Sequence, residues 1–267
     1  MADVHAPGLE RKVAFVAAAS RGLGRAAAEC LAGGGARVAI VARGADTLQA
    51  AADAIRRDTG AEVLPIVADV SRAEDVIQAV NQTVDRFGGL DILVTNAGGP
   101  KSGPFGTLTE DDWRDAIDLT LMSVVRLTMA AVPHLRRRGG GRIINITSIA
   151  AKQPVAGLML SNALRAAVVG FSKTLANELA ADGILVNCVA PGYTRTERVT
   201  ALAEAASRRE GVEPAEVERR FVADVPMGRL GRPEELGHVI AFLASDLASY
   251  ITGTMIQVDG GYVRGII

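Results

Sequence analysis

Aromatic residues and cysteines are scarce in this chain, and their scarcity limits what it can be. Phe, Trp and Tyr make up 4% of its 267 residues, so the core has to be built mainly from Ala, Val, Ile and Leu. That mixture is typical of a parallel sheet covered by helices. The two cysteines, Cys30 and Cys188, match neither a disulfide framework nor a metal-ligand spacing. We therefore expect no metal site and a reducing, cytoplasmic setting.

A strong charge of one sign and long hydrophobic runs are also lacking. The net charge is −1, which favours neither nucleic acid nor an anionic membrane as a partner. We expect no apolar run of membrane-spanning length, and residues 1–10 lack the apolar centre of a signal peptide. Because no repeat or linker divides the chain, residues 1–267 are predicted to form a single domain.

Short apolar runs alternate with amphipathic stretches along the whole chain. The runs are bounded by Gly or polar residues and contain β-branched residues, as strands do. This alternation predicts an α/β fold: a Rossmann-type, doubly wound, seven-stranded parallel sheet with helices on both faces and a ligand at the carboxyl ends of the strands. The predicted strands are residues 12–17, 36–42, 62–68, 91–95, 141–147, 184–190 and 254–258.

Two segments carry helix-start signals, and a third interrupts the alternation. Ser71 followed by Glu74, and Thr109 followed by Asp112, have the spacing of capping boxes. Residues 196–224 are polar, charged and helix-prone, and no strand follows them directly. A functional lid over the ligand and a solvated helical insertion both fit this segment.

A glycine-containing turn follows the first predicted strand and leads into an Ala-rich helix. Gly22 and Gly24 remove side chains that would keep a diphosphate away from the backbone. The N-terminus of the helix offers free N–H groups and the positive end of its dipole. Because the glycines stand between a first strand and a first helix, they predict a dinucleotide-binding turn.

The end of the second predicted strand indicates which nicotinamide cofactor is used. An acid there would bind a ribose 2′-hydroxyl and favour NAD, but the chain has Arg43 and no acid before Asp46. Arg21 lies in the glycine turn, and two guanidinium groups could hold a 2′-phosphate. The alternative is a pair of solvated surface arginines. The missing acid and the two cations together favour NADP(H).

The turn and several later segments resemble the short-chain dehydrogenase/reductase family. Residues 17–24 are similar to its T-G-x-x-x-G-x-G turn, with Ala17 and Ala18 in place of the first Thr and Gly. Further matches are Asn96-Ala97-Gly98, Pro191-Gly192 and a C-terminal Val258-Asp259-Gly260-Gly261. The residues thereby implied at an NADP(H) cofactor are Ser20, Arg21, Gly22, Leu23, Gly24, Arg43, Asp69, Val70, Asn96, Ala97, Gly98, Arg165, Pro191, Gly192 and Thr196.

The same resemblance locates the catalytic positions, where this chain departs from the family. The family uses a Tyr, a Lys four residues later, a preceding Ser and an upstream Asn. Ser148 stands at the Ser position, but Ser161 and Arg165 stand where Tyr and Lys are expected, and Thr120 where Asn is expected. Catalytic roles are therefore implied for Ser148, Ser161, Arg165 and Thr120.

These replacements change the chemistry that the site can perform. Spacing places Ser161 and Arg165 one turn apart on a helix face. Arg165 can hold a fixed positive charge but cannot relay a proton. The Ser161 hydroxyl is a weaker acid than a phenol and stands on a shorter side chain. Ser148, Ser161 and a water could bind an oxyanion. Tyr193 and Lys152 are substitute proton donors, with a loop tyrosine and a solvated lysine as the plainer interpretations.

Three functions stay open at this point. The first is an NADP(H)-dependent oxidoreductase that reduces a carbonyl or oxidises an alcohol, similar to 3-oxoacyl carrier-protein reductases. The second is an NADP(H)-binding sensor or non-catalytic subunit, and the third a lyase or isomerase on the same fold. An apolar opening near residues 154–159 hints at a hydrophobic small-molecule substrate. The apolar helix over residues 156–181 suggests a subunit interface, and the resemblance implies a homotetramer.

Overall fold

Within residues 8–266, which the computed structural model describes, seven strands pair into one parallel sheet. The prediction that residues 1–10 are not a signal peptide concerns mostly residues 1–7, which lie outside the described range. The predicted fold class is confirmed, and every strand boundary agrees with its prediction to within one residue. In chain order the strands are β1 (Val13–Ala17), β2 (Arg37–Ala42), β3 (Val63–Val67), β4 (Ile92–Thr95), β5 (Gly141–Ile146), β6 (Ile184–Pro191) and β7 (Met255–Val258).

The order of the strands across the sheet is β3-β2-β1-β4-β5-β6-β7. The direction of winding therefore reverses between β1 and β4, and a crevice opens there at the carboxyl ends of the strands. The helices that connect the strands are α1 (Gly22–Gly33), α2 (Ala45–Thr59), α3 (Ala73–Phe87), α4 (Glu110–Ala116), α5 (Ser123–Arg137), α6 (Met159–Leu179), α7 (Glu197–Glu210), α8 (Pro214–Ala223) and α9 (Pro233–Ala244).

The two faces of the sheet bury separate aliphatic cores. Alternate side chains of β1 point to opposite faces: Ala14 and Val16 pack under α1, α2 and α9, whereas Val13 and Phe15 pack under α3, α5 and α6. Both faces are covered because a parallel sheet is apolar on both sides. The helices therefore hold the strand ends in fixed positions around the crevice.

One of the two predicted capping boxes is confirmed and the other is wrong. Thr109 caps α4 by accepting from the Asp112 N–H, while the Asp112 carboxylate accepts from the Thr109 N–H. Helix α3 instead begins at Ala73 without a side-chain cap. The Ser71 hydroxyl donates to the carboxylate of Asp69 at 2.7 Å, because a nearby charged acceptor forms a stronger hydrogen bond.

Helices α4 and α5 join through a π-helical segment, Ile117–Met122, into one helix. This helix, Glu110–Arg137, is long and apolar enough to cross a membrane by length and composition alone, so the expectation that no run reaches that length is wrong. It packs against α3, α6 and strands β4 and β5, as a core helix does. Leu127, Ala131 and Leu135 of this helix are buried in the core, whereas Met129 is exposed.

Helix α6 buries its apolar residues within the chain. Leu160, Leu164 and Val168 are buried, and Phe171 and Leu175 are partly buried. The three buried side chains are therefore not available to a subunit interface, and the predicted interface would have to use other residues of the helix. The sheet and the helix containing the π-helical segment already cover those three side chains.

Candidate active site

A cleft of about 620 Å³ opens at the carboxyl ends of the strands, where the winding reverses. Loops that follow β1 to β6 line it, together with α6 and the first turns of α7. The fold thus gathers residues that are far apart in sequence. Of the residues predicted from the sequence, the cleft is lined by Ser20, Arg21, Gly22, Leu23, Arg43, Asp69, Val70, Asn96, Ala97, Gly98, Ser148, Ser161, Arg165, Pro191, Gly192 and Thr196.

Two predicted site residues, Gly24 and Thr120, do not line the cleft. A Cβ on Gly24 would lie 2.4 Å from the backbone oxygen of Ala18, so Gly24 lets the first turn of α1 lie close against the turn after β1. Thr120 is fully buried in the π-helical segment. Its hydroxyl has no hydrogen-bond partner within the described part of the chain.

The turn after β1 presents a helix N-terminus to the cleft. Gly22, the first residue of α1, has φ +58°, and Arg21 before it provides no side-chain cap. The N–H groups of the first turn are therefore free to bind an anion, and the helix dipole favours one there. A Cβ on Gly22 would enter the gap toward Thr196, 3.6 Å from its Cγ2. This cradle fits a dinucleotide diphosphate.

Two arginines that line the cleft pair with acids. Arg21 pairs with Glu197, and Nη1 of Arg43 lies 3.8 Å from a carboxylate oxygen of Asp69. Burial raises the pKa of Asp69, but hydrogen bonds from Ser71 and the charge of Arg43 outweigh it, so the pKa lies below its ordinary value. The side chain of Arg43 is 77% exposed and free to turn toward a ligand.

Along the same cleft, Ser148 follows β5 and faces α6. The Ser148 oxygen accepts a hydrogen bond from the Ala150 N–H at 3.1 Å, which leaves its own hydrogen available to a ligand. Ser161 and Arg165 are buried on α6, one turn apart. The fold thus brings the predicted Ser148, Ser161 and Arg165 to one end of the cleft.

Arg165 shares this end with Arg198, a residue that no sequence pattern had indicated. Burial, and then the positive charge of Arg198, lowers the pKa of Arg165 to about 10. Arg198 lies in the first turn of α7 and donates to the backbone oxygen of Pro100 at 2.8 Å; burial lowers its pKa as well. Both remain cations at neutral pH. No short motif marks Arg198, whose position follows from the folding of α7 over the cleft.

The substitute proton donors named from the sequence lie in different settings. Tyr193 lines the cleft, with its ring stacked on Phe221 at a centroid distance of 4.3 Å. Burial raises the pKa of Tyr193, so its phenol stays protonated at neutral pH. Lys152 is not among the residues that line the cleft. In residues 8–266, no His, Cys, Asp or Glu cluster is placed to hold a metal ion.

Comparison with known proteins assigns the family. The family described as "Enoyl-(Acyl carrier protein) reductase" matches residues 17–263. The 3-oxoacyl-[acyl-carrier-protein] reductase FabG of Escherichia coli (strain K12) is 38% identical over 252 residues, covering 94% of this chain and 97% of its own. The chain belongs to the short-chain dehydrogenase/reductase family.

Solved structures agree with that assignment along nearly the whole chain. L-sorbose reductase from Gluconobacter frateurii, complexed with NADPH and L-sorbose, has a TM-score of 0.92 at 36% identity and covers 98% of this chain and 100% of its own. A variant of actinorhodin polyketide ketoreductase with NADPH has a TM-score of 0.92 at 33% identity, covering 97% of this chain and 100% of its own. The chain therefore resembles reductases that were solved with NADPH.

Proposed function

We propose that this protein is an NADP(H)-dependent oxidoreductase that reduces a carbonyl group, or oxidises an alcohol, at an atypical catalytic site. The observation that supports this most directly is one cleft that joins the free amides of α1 to Ser148, Ser161 and Arg165. Hydride transfer needs a positioned nicotinamide and a polarised carbonyl. The same cleft offers amides for the cofactor at α1 and hydroxyl groups for a carbonyl at Ser148 and Ser161.

The cofactor would be held by the residues predicted for it that line the cleft. The first turn of α1 would take the diphosphate, and Arg21 and Arg43 would take a 2′-phosphate after exchanging their acidic partners for it. No acid stands at the end of β2 to select a 2′-hydroxyl. The NADPH in the two similar reductases agrees with this choice.

The catalytic role proposed for each side chain follows from the hydrogen-bond donors and the charge that it can still offer to a substrate. NADPH, when bound, supplies a hydride. The Ser148 hydrogen is free to bond a carbonyl oxygen, because the Ala150 N–H already occupies a lone pair of that hydroxyl. The fixed positive charge of Arg165 nearby would help to stabilise negative charge that develops on that oxygen. Ser161 is too weak an acid to replace a phenol alone, so it would pass a proton from water.

A second function, NADP(H) binding without redox turnover, is favoured by the protonation states near Ser148. Arg165 and Arg198 stay charged at neutral pH, and Tyr193 stays protonated. The acids that line the cleft, Asp69 and Glu197, pair with Arg43 and Arg21. Among the described residues, no side chain beside Ser148 is thus poised to exchange a proton near pH 7.

Titration and turnover measurements separate the two functions. NADPH binding is followed by its fluorescence, and turnover with a panel of ketones and aldehydes by absorbance. Turnover by the wild type that falls about a hundredfold in Ser148→Ala, with unchanged NADPH affinity, is expected for the oxidoreductase. Ser249→Ala, an exposed serine outside the cleft, is the control. Binding without turnover supports the second function, and absence of binding overturns both.

The remaining sequence predictions extend this proposal. Helices α7 and α8 occupy the segment predicted to be a lid, and Arg198, Val199 and Leu202 of α7 line the cleft, which supports a covering role. Of the predicted apolar opening, Val155 and Leu158 line the cleft. A homotetramer, to be measured by light scattering, and a cytoplasmic location remain predictions.

A further inference from the structure

Two guanidinium groups lie at the Ser148 end of the cleft without an acidic partner. Within residues 8–266, neither Arg165 nor Arg198 forms an ion pair, and their hydrogen bonds go to the backbone oxygens of Ile146 and Pro100. The charge that acts on Arg165 is the positive charge of Arg198. A buried cation is normally paired, because leaving water without compensation is costly. A bound anion could therefore compensate these two positive charges.

Donors remain free on both side chains. Arg165 is 94% buried, since its exposed fraction is 6%, and its Nε has no hydrogen-bond partner among the described residues. Gly99 allows the Arg198 guanidinium to lie against the backbone, because a Cβ there would fall 2.4 Å from Nε of Arg198. Both side chains line the cleft, so those of their unused N–H groups that face it can meet a ligand, whereas the Nε of Arg165 is itself buried.

The surroundings favour a small, planar anion at the end of an apolar molecule. Val155, Leu158 and Leu202 line the same cleft and offer no further charged donors. A carboxylate matches the forked geometry of an arginine, and the apolar side chains suit an acid whose single charge stands at the end of a hydrocarbon chain. A phosphate, which two arginines can also hold, is the competing anion. The diphosphate cradle lies at α1, whereas the Arg198 guanidinium lies against Gly99 in the loop after β4.

We propose that Arg165 and Arg198 bind a carboxylate of the substrate, so that the substrate is an oxo acid or the corresponding hydroxy acid with an apolar chain. This inference rests on the proposed function for the reaction, but it concerns binding and can be tested apart from turnover. The carboxylate would fix the molecule at one end while its carbonyl oxygen faces Ser148.

The test compares acids with their esters on the protein saturated with NADP⁺. Calorimetric titration measures the Kd of 2-oxooctanoate and 4-oxooctanoate, each beside its methyl ester, with octyl phosphate as the phosphate probe. We expect at least one acid to bind at least tenfold more tightly than its ester and than octyl phosphate. Equal binding of every acid and ester, or no binding of either, overturns the inference, as does tightest binding of octyl phosphate.

Variants assign the preference to Arg198. Arg198→Met is expected to abolish the preference for the acid and Arg198→Lys to keep part of it, while the Kd of NADPH changes by less than threefold. Arg195→Met, an exposed arginine outside the cleft, is the matched control. If Arg198→Met weakens NADPH and keeps the preference, Arg198 serves the cofactor and the inference is overturned. Acid binding without redox turnover would instead refute the proposed oxidoreductase alone.

Discussion

Arg165 donates from Nη1 to the backbone oxygen of Ile146 at 2.9 Å, and this hydrogen bond connects helix α6 to the end of strand β5. Ser161 is one turn before Arg165 on the helix, and Ser148 is two residues after Ile146 on the chain. The bond therefore fixes the two serines relative to each other. A guanidinium can do this and still present other donors to the cleft, because it carries five N–H groups.

The first prediction concerns the choice between NADPH and NADH. Arg43→Ala is expected to raise the Kd of NADPH by roughly tenfold to a hundredfold, the effect of losing one charge-assisted hydrogen bond, and to leave that of NADH unchanged. Fluorescence titration measures both. Arg72→Ala removes an exposed arginine that does not line the cleft and is the control. Equal weakening of the two cofactors would contradict a 2′-phosphate contact.

The second prediction concerns Ala18, which adopts a left-handed backbone conformation with φ +49° in the turn after β1. Such a conformation costs an L-residue roughly 1–2 kcal/mol, and glycine adopts it freely but loses more entropy on folding. Ala18→Gly is therefore expected to raise the free energy of unfolding by about 0.5–1 kcal/mol, measured by urea denaturation. Ala54→Gly, the same substitution within helix α2, is the control and should lower it. Equal destabilisation by both substitutions would contradict the strain at Ala18.

The third prediction concerns the buried hydroxyl of Thr120, which has no hydrogen-bond partner in the described residues. Thr120→Val removes that hydroxyl at nearly constant shape and is expected to leave the free energy of unfolding unchanged or slightly higher. Thr83→Val is the control, because the Thr83 hydroxyl donates to the Ala79 oxygen at 2.8 Å and its loss should cost about 1 kcal/mol. A loss of stability at Thr120 as large as at Thr83 would indicate a bound water.

The fourth prediction concerns acid stability. Hydrogen bonds from Arg229 and from the Arg232 N–H lower the pKa of Glu235 from its ordinary value of 4.5 to about 2. The stabilising effect of this carboxylate is complete above pH 4.5 and is lost as the pH falls toward 2. Glu235→Gln should therefore reduce the loss of unfolding free energy between pH 4.5 and 2. Glu234→Gln leaves the ion pair between Arg229 and Glu235 intact and should not reduce that loss. Identical acid transitions in the wild type and Glu235→Gln would contradict this.

The residues that line the cleft near the start of α1 could largely be predicted from the sequence. The turn around Gly22 and the basic residue Arg43 are short-range features, since each is recognised by its position after a strand. Gly24 shows the limit of such a pattern. Its spacing matches the motif, but only the structure shows that a side chain there would meet the Ala18 backbone.

The sequence alone determined the alternation of strands and helices, because hydrophobic periodicity and turn residues act within a few residues of each other. Only the tertiary structure decided which side chains face one another at the strand ends. Arg198 lies near Arg165 because α7 folds over the cleft. Among the described residues, none of the loops that meet there brings an acidic partner for either arginine. Burial and charge pairing depend on contacts between distant segments, and no local pattern encodes them.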